Sequence, residues 1–189
     1  MRIIAGTSGG RRLIVPKSGV RPTMDRVKAA IFSSLGERVI GARVLDLFAG
    51  SGALGIEALS RGADSVTFVE KDREALNAIE RNLIHTGLSG QIRRQDVFDF
   101  LRREGAAETY DLIFADPPYD DSRAGESFTV LLLGNPQLPA RLTNEGIFIL
   151  EKRPAEDLPP MRSWRLIRRK RYGATETLFL SRQPEPDEP

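Results

Sequence analysis

The chain has 189 residues with ordinary hydrophobic (40%) and charged (29%) fractions, which suits one α/β domain with a short extension. The absence of cysteine excludes disulfides and thiolate metal sites, and is compatible with a reducing compartment. The first residues lack the apolar stretch of a signal peptide, and no apolar run, residues 130–133 included, is longer than four residues, which is too short to cross a bilayer. We therefore expect a soluble, cytoplasmic protein.

The net charge of +2 conceals two strongly basic segments. Residues 1–30 carry seven Lys or Arg and one acid, and residues 161–182 carry the same numbers, whereas residues 31–160 are acidic overall. Phosphate contacts supply most of the non-specific affinity for nucleic acids. Basic segments at both ends of an acidic middle therefore favour a nucleic-acid partner over a merely solvated surface.

The first 36 residues form a predicted basic extension. Two short β-prone runs, residues 2–6 and 11–15, flank a glycine-rich turn and predict a hairpin. After a loop, Thr23 is expected to cap a helix that ends at Gly36, with Arg26 and Lys28 off its apolar stripe. We expect a separate main domain over residues 37–182 and a disordered, proline-rich tail over residues 183–189.

From residue 41 the pattern alternates between strands and helices. Five strands are predicted, at residues 44–48, 65–70, 91–94, 111–115 and 146–150. Helices between successive strands indicate a parallel, doubly wound, Rossmann-like sheet. Two further runs, at residues 164–167 and 175–180, predict an antiparallel edge hairpin. The expected fold is a mostly parallel, seven-stranded α/β sheet with an N-terminal hairpin and helix.

Several informative side chains fall at the carboxyl ends of these strands, where doubly wound sheets bind ligands. Residues 50–55 match the pattern G-x-G-x-x-G, and Glu70 stands where a ribose-binding acid belongs, which alone would suggest a dinucleotide. Asp46 lies inside the preceding strand, however, and a carboxylate there would oppose a pyrophosphate. It would favour a cationic ligand such as S-adenosylmethionine.

The predicted S-adenosylmethionine site combines flexible backbone with three acids. The glycines allow close approach, Glu70 can hold both ribose hydroxyls, and Asp96 lies where the adenine amine would be. The alternative for an acid at the start of a helix is a cap, and we assign that role to Asp72. The predicted cofactor residues are Asp46, Phe48, Ala49, Gly50, Ser51, Gly52, Glu70 and Asp96.

A second candidate site follows the fourth strand, at Asp116-Pro117-Pro118-Tyr119. The prolines stiffen the turn and have no N–H, so its carbonyls are free to accept hydrogen bonds. Asp116 adds an acceptor and Tyr119 offers a flat face for stacking. These four residues suit a flat heterocycle with an exocyclic amine and are our predicted catalytic residues. The alternative is an ordinary strand-to-loop turn with a buried tyrosine.

Residues 46–52 together with residues 116–119 resemble the class I methyltransferases that modify exocyclic amines of nucleobases. Residues 2–6, 11–13 and 21–28 further resemble the bacterial RsmD family, over nearly the whole chain. The resemblance implies methylation of the N2 amine of one guanine in 16S ribosomal RNA of the small subunit. It also implies that Asp46 and Glu70 contact the cofactor and that residues 116–119 hold the target base.

The expected reaction is in-line attack of the amine nitrogen on the methyl group. Asp116 and the Pro117 carbonyl would accept the amine hydrogens, and Tyr119 would stack on the base. Because the amine is buried in paired nucleic acid, the base must be unpaired or flipped out. The residues expected to contact RNA are Arg2, Arg11, Arg12, Arg21, Thr23, Arg26 and Lys28.

Three other functions share parts of this pattern. A DNA adenine-N6 methyltransferase has the same two motifs, but this chain shows no extra domain for reading a DNA sequence. A protein glutamine methyltransferase carries Asn in place of Asp116. A non-enzymatic RNA-binding assembly factor of the ribosome would keep the fold without the transfer. We expect a monomer that needs no metal and no membrane.

Overall fold

The structure is a computed structural model that describes residues 1–15, 24–102, 108–118, 122–123 and 126–183. Its helices are α1 Met24–Leu35, α2 Ala53–Ser60, α3 Arg73–Thr86, α4 Val97–Leu101, α5 Phe128–Leu133 and α6 Gln137–Ala140, with a 3-10 turn at Gly36–Val39. Its strands are β1 Arg43–Leu47, β2 Ser65–Glu70, β3 Gln91–Arg94, β4 Tyr110–Ala115, β5 Ser122–Arg123, β6 Glu126–Ser127, β7 Leu142–Lys152, β8 Trp164–Tyr172 and β9 Thr175–Arg182.

Seven strands form one sheet in the order β3-β2-β1-β4-β7-β9-β8, while β5 and β6 pair separately. The first five strands of that order are parallel, and β9 pairs antiparallel with both β7 and β8. The predicted fold class is therefore confirmed. The carboxyl ends of β1, β2, β4 and β7 meet at one edge of the sheet, which is where a ligand is expected.

The predicted boundaries are accurate for the first strands and too short for the last ones. Strands β2 and β3 have the predicted bounds, whereas β7 and β8 extend well beyond residues 146–150 and 164–167. Ladder pairing with β9 maintains β8 despite its run of charged residues. Helices α5 and α6 were not predicted, because a six-residue helix capped by Ser127 leaves little periodicity in the sequence.

Helices cover both faces of the sheet. On one face α1, α2 and α3 bury side chains such as Phe32, Ile56 and Ile79 against the sheet, and we call this the α1 face. On the other face α4 and α5 pack with Phe148 and Trp164. Within the described residues, no helix is long and apolar enough to cross a bilayer.

The N-terminal hairpin is fixed to the main domain through α2. Its two arms are joined by an antiparallel bridge between Arg2 and Arg12. Fully buried Glu57 accepts hydrogen bonds from the backbone N–H groups of Ile4 (2.7 Å) and Ala5 (3.1 Å). Gly6 has a φ of +86°, and a Cβ there would lie 1.7 Å from a backbone oxygen of α2, so this contact requires glycine.

The expectation that Lys28 lies off the buried stripe of α1 is wrong. Lys28 is only 3% exposed, and its Nζ lies 3.2 Å from a carboxylate oxygen of Glu57 and donates to the Arg2 carbonyl at 2.7 Å. Burial lowers the pKa of Lys28, although the Glu57 carboxylate opposes that shift. The side chain is buried because α2 supplies a charge partner that the local sequence of α1 does not reveal.

Candidate cofactor and target-base site

A pocket of about 480 Å³ opens at the carboxyl edge of β1, β2, β4 and β7. It brings together most residues that the sequence predicted for the two sites, namely Asp46, Phe48, Ala49, Gly50, Ser51, Glu70, Asp96, Asp116, Pro117 and Pro118. Tyr119 lies outside the described residues. Two candidate sites that are 70 residues apart in the sequence thus share one cavity, which is what a two-substrate transfer requires.

The glycine turn presents bare backbone to this pocket. Gly50 has a φ of +56°, and a Cβ there would meet only the Phe48 carbonyl oxygen within 4 Å, at 3.9 Å. The Gly50 N–H donates to Glu70 at 2.9 Å, which holds the turn against β2. Gly52 does not line the pocket but is the residue that precedes α2, and its N–H donates to the Ala49 carbonyl. Gly52 therefore contributes to the shape of the turn and not to the surface of the pocket.

Phe48 joins the glycine turn to an aromatic wall. Its φ of +55° is unusual for a residue other than glycine, and such backbone conformations concentrate at functional sites. Its ring stacks on Phe128 with centroids 5.2 Å apart and meets Phe98 edge-on at 6.2 Å. The sequence analysis missed Phe128, which lines the pocket from the start of the unpredicted helix α5.

Asp46 is buried and its carboxyl caps the first turn of α2. Its Oδ2 accepts from the Gly55 N–H at 2.9 Å. Burial raises the pKa of Asp46 to about 8; the Gly55 hydrogen bond opposes the shift, and the charges of Asp116 and Glu70 add to it. The carboxyl therefore occupies the helix end at which a dinucleotide fold would bind pyrophosphate. A cationic group beside it would favour the ionised form.

Glu70 is held rigidly at the end of β2. Its carboxylate accepts three backbone N–H bonds, from Gly50 at 2.9 Å and from Lys71 and Asp72 at 2.8 Å each. A carboxylate has about four lone-pair sites, so capacity remains on the oxygen that accepts from Gly50. That oxygen can accept a hydrogen bond from a ligand hydroxyl.

Asp96 and Asp72 both cap helices. Asp96 accepts from the Phe98 N–H at 2.9 Å, and its second oxygen lies 3.6 Å from Lys71 Nζ. Asp72 accepts from Ala75, as the sequence predicted. Asp96 also lines the pocket, so capping does not remove it from the site, and its contact with adenine stays a prediction. The neighbouring Gln95 was missed: its buried Nε2 has no hydrogen-bond partner within the described residues.

The end of the pocket that is predicted to hold the target base contains a further acid, which was not among the predicted residues. Ala115 of β4 is opposite Leu150 of β7, so Asp116 and Glu151 follow at the ends of adjacent strands. Both line the pocket, and Glu151 is only 9% exposed. An acid directly after a predicted strand was the signal used at Asp116, and the same signal was present at Glu151. In the described parts of the chain, no group of His, Cys, Asp or Glu could hold a metal ion.

The predicted RNA contacts lie in different settings. Arg2, Arg11, Arg12 and Arg26 are exposed, and Arg11 donates to the His85 carbonyl at 2.7 Å. Lys28 is buried, as described above, while Arg21 and Thr23 lie outside the described residues. Met1, Val15 and Lys28 line the pocket, so the N-terminal segment borders the site directly.

Comparisons with known proteins agree with this architecture. A protein from Haemophilus influenzae named ribosomal RNA small subunit methyltransferase D is 36% identical over 177 residues, covering 92% of this chain and 89% of that protein. The structure of a hypothetical protein from Thermus thermophilus has a TM-score of 0.80 and 32% identity, covering 96% of this chain and 99% of that one.

The comparison with solved structures also finds the Thermus thermophilus 16S rRNA N2 methyltransferase RsmC, in complex with AdoMet and guanosine. It has a TM-score of 0.66 and 26% identity, covering 88% of this chain and 44% of that one. The model of the family described as Conserved hypothetical protein 95 matches residues 1–181. The chain belongs to this family, the RsmD family that its N-terminal residues resemble.

Proposed function

We propose that the protein transfers the methyl group of S-adenosylmethionine to the exocyclic N2 amine of a guanine in 16S rRNA. The substrate is the RNA of the small ribosomal subunit in the cytoplasm, and the protein acts as a monomer. The observation that carries this proposal is the shared pocket, in which Asp46 blocks the pyrophosphate position while Asp116 and Glu151 border the same cavity. The family relationship supports the same activity.

The cofactor half of the pocket has the donor set that S-adenosylmethionine needs. Asp46 would face its ammonium group, and the free acceptor site of Glu70 would take a ribose hydroxyl. Asp96 and the Gln95 amide would contact the adenine, with open backbone at Gly50 allowing close approach. When bound, the cofactor supplies an electrophilic methyl group on its sulfonium.

The target-base half favours guanine over adenine. Guanine carries adjacent N1–H and N2–H donors on its Watson–Crick edge, whereas adenine has an acceptor at N1 beside its amine. Asp116 and the Pro117 carbonyl would accept from the N2 amine, and Glu151 would accept from N1–H. Two carboxylates at neighbouring strand ends can accept hydrogen bonds from the two donors of guanine, but they would repel the N1 lone pair of adenine. Tyr119 would stack on the base.

Asp116 acts mainly by positioning the amine. The nitrogen lone pair is delocalised into the guanine ring, so the free amine is a poor nucleophile. Hydrogen bonds to Asp116 and the stiff Pro117 carbonyl favour a pyramidal nitrogen and direct its lone pair into the pocket. Because the nitrogen becomes acidic only after methylation, Asp116 accepts a proton late and need not be a strong base.

Transfer of a radiolabelled methyl group tests the proposal. Undermethylated small ribosomal subunits, free 16S rRNA, duplex DNA and bulk protein would each be offered with labelled S-adenosylmethionine. We expect label in 16S rRNA, recovered as N2-methylguanosine after digestion to nucleosides. Label in DNA adenine or in protein would contradict the proposal. Cofactor-independent RNA binding without any transfer would instead indicate an assembly factor.

A further inference from the structure

The edge strand β8 contains a one-residue irregularity that changes the direction of its basic side chains. Leu166 is opposite Leu180, but two residues later Arg168 is opposite Phe179, so the register shifts between them. Leu180 belongs to the core on the face covered by α4 and α5, whereas Phe179 belongs to the core on the α1 face. A bulge of this kind redirects every following side chain to the other face of the sheet.

As a result, Arg168, Lys170 and Tyr172 project toward α1. Lys170 Nζ donates to Ser34 Oγ of α1 at 3.0 Å, and Tyr172 packs against the core of that face. Burial raises the pKa of the Tyr172 hydroxyl, while the positive charges of Arg168 and Arg26 both oppose that shift. Arg26 of α1 and Arg168 of β8 therefore act electrostatically on the same hydroxyl group, although they come from opposite ends of the chain.

The Tyr172 end of this cluster lies at the pocket edge of the sheet. Strand β8 ends at Tyr172, which is opposite Thr175, and Glu176 is in turn opposite Lys152 at the carboxyl end of β7. The turn between β8 and β9 is therefore at the same edge as Asp116 and Glu151. Arg26 is also near the start of α1, two residues before Lys28, which lines the pocket.

We propose that Arg26, Arg168 and Tyr172, which we call the α1–β8 platform, bind the phosphodiester backbone of the RNA that flanks the target guanine. Both arginines are exposed, and the partly buried Tyr172 on the same face as Arg168 adds a hydroxyl donor for a phosphate oxygen. This inference rests on the proposed function. It unites the basic segments at the two ends of the chain into one surface beside the pocket.

Two double variants distinguish RNA binding by the α1–β8 platform from a general effect of losing positive charge. Arg26→Gln with Arg168→Gln removes two positive charges from the α1 face. Arg169→Gln with Arg171→Gln removes two exposed charges from the opposite face of the same strand and is the matched control; glutamine at position 169 can still donate to Glu176, whose Oε2 lies 3.9 Å from Arg169 Nε. Both would be assayed for methyl transfer to undermethylated small subunits across salt concentrations, and for direct binding of the subunits without cofactor. Thermal melting would verify that each variant is folded.

The platform variant should raise the KM and the Kd for small subunits about ten-fold and reduce the slope of log Kd against log salt by about 2. Its kcat and its affinity for S-adenosylmethionine should stay as in the wild type, and the control should change KM less than about two-fold. Equal losses in the two variants, or an unchanged Kd in the platform variant, would overturn the inference. Absence of transfer by the wild type would contradict the proposed function instead, while the binding measurement still decides about the platform.

Discussion

The cofactor half and the RNA-facing half of the pocket are built in different ways. The cofactor half comes from consecutive β–α units, and its acids at Asp46, Glu70 and Asp96 each accept from backbone N–H groups in the turns and helix starts that follow these strands. The half that we propose to face the RNA is assembled from the N-terminal segment, α1 and the ends of β4 and β7, and the C-terminal strands lie beside it at the same edge of the sheet. Local sequence therefore determines the first half, whereas the second depends on tertiary contacts such as Lys28 with Glu57.

Removing Glu57 should loosen the N-terminal hairpin and α1 from α2, and this is the largest effect that we predict. Glu57→Ala leaves Lys28 buried without its charge partner and leaves the N–H groups of Ile4 and Ala5 without an acceptor. We expect the free energy of unfolding to fall by about 3–5 kcal/mol, measured by urea denaturation. The exposed acid Glu74 offers a control, and Glu74→Ala should change stability by less than about 0.5 kcal/mol. A loss below about 1 kcal/mol in Glu57→Ala would show that the hairpin does not depend on this contact.

Replacing Asp116 should stop the chemistry while sparing the cofactor half. Asp116→Ala removes the acceptor that positions the amine, so kcat should fall about 10²- to 10³-fold while the Kd for S-adenosylmethionine changes only a few-fold. Asp116→Asn keeps one acceptor oxygen and should retain more activity than Ala. Single-turnover transfer and calorimetric binding would be measured on the same preparations. A large loss of cofactor affinity would mean that Asp116 belongs to the cofactor half.

The smallest predicted effect is the pH dependence of cofactor binding that results from ionisation of Asp46. Its pKa is raised from 3.8 to about 8, so the carboxyl is protonated at pH 7 and must ionise when a cation binds beside it. The affinity for S-adenosylmethionine should rise up to about ten-fold from about pH 6 to about pH 7, below the titration of the ligand's own amine, and Asp46→Asn should remove this dependence. Equal pH profiles for the two proteins would contradict the assignment.

The raised pKa of Asp46 also makes the stability of the folded protein depend on pH, in a definite direction. A carboxyl whose pKa is raised by folding stabilises the native state fully below its unfolded pKa and loses that contribution as the pH rises through its folded pKa. The contribution of Asp46 should therefore decrease from about pH 4 through about pH 8. Urea denaturation of the wild type and Asp46→Asn across this range measures the difference.

The sequence was sufficient for the fold and for the placement of several acids at one pocket. Alternation of apolar runs and helices predicted the sheet, and its topology brings Asp46 inside β1 together with Glu70 and Asp116 at the ends of their strands. The pattern could not reveal that Asp96 also caps a helix, because capping and ligand binding favour the same residue types at the same position. Contacts of these residues with a ligand remain predictions.

The RNA-facing half was less predictable for physical reasons. Helical periodicity placed Lys28 off the apolar stripe, but it cannot reveal that α2 supplies a buried carboxylate. The face of β8 toward which Arg168 projects depends on a one-residue bulge, which alternation in the sequence does not specify. Glu151 follows a predicted strand as Asp116 does but has no surrounding motif, and its register beside Asp116 shows that the two acids lie together.

The most direct test is a crystal structure of the protein with S-adenosylhomocysteine and guanosine. We expect the amino group of the cofactor product at Asp46, its ribose at Glu70, and the guanosine N2 amine at Asp116 and facing the sulfur. Guanosine bound outside the pocket, or with its N2 amine turned away from Asp116, would contradict the claim that the two halves meet at this turn.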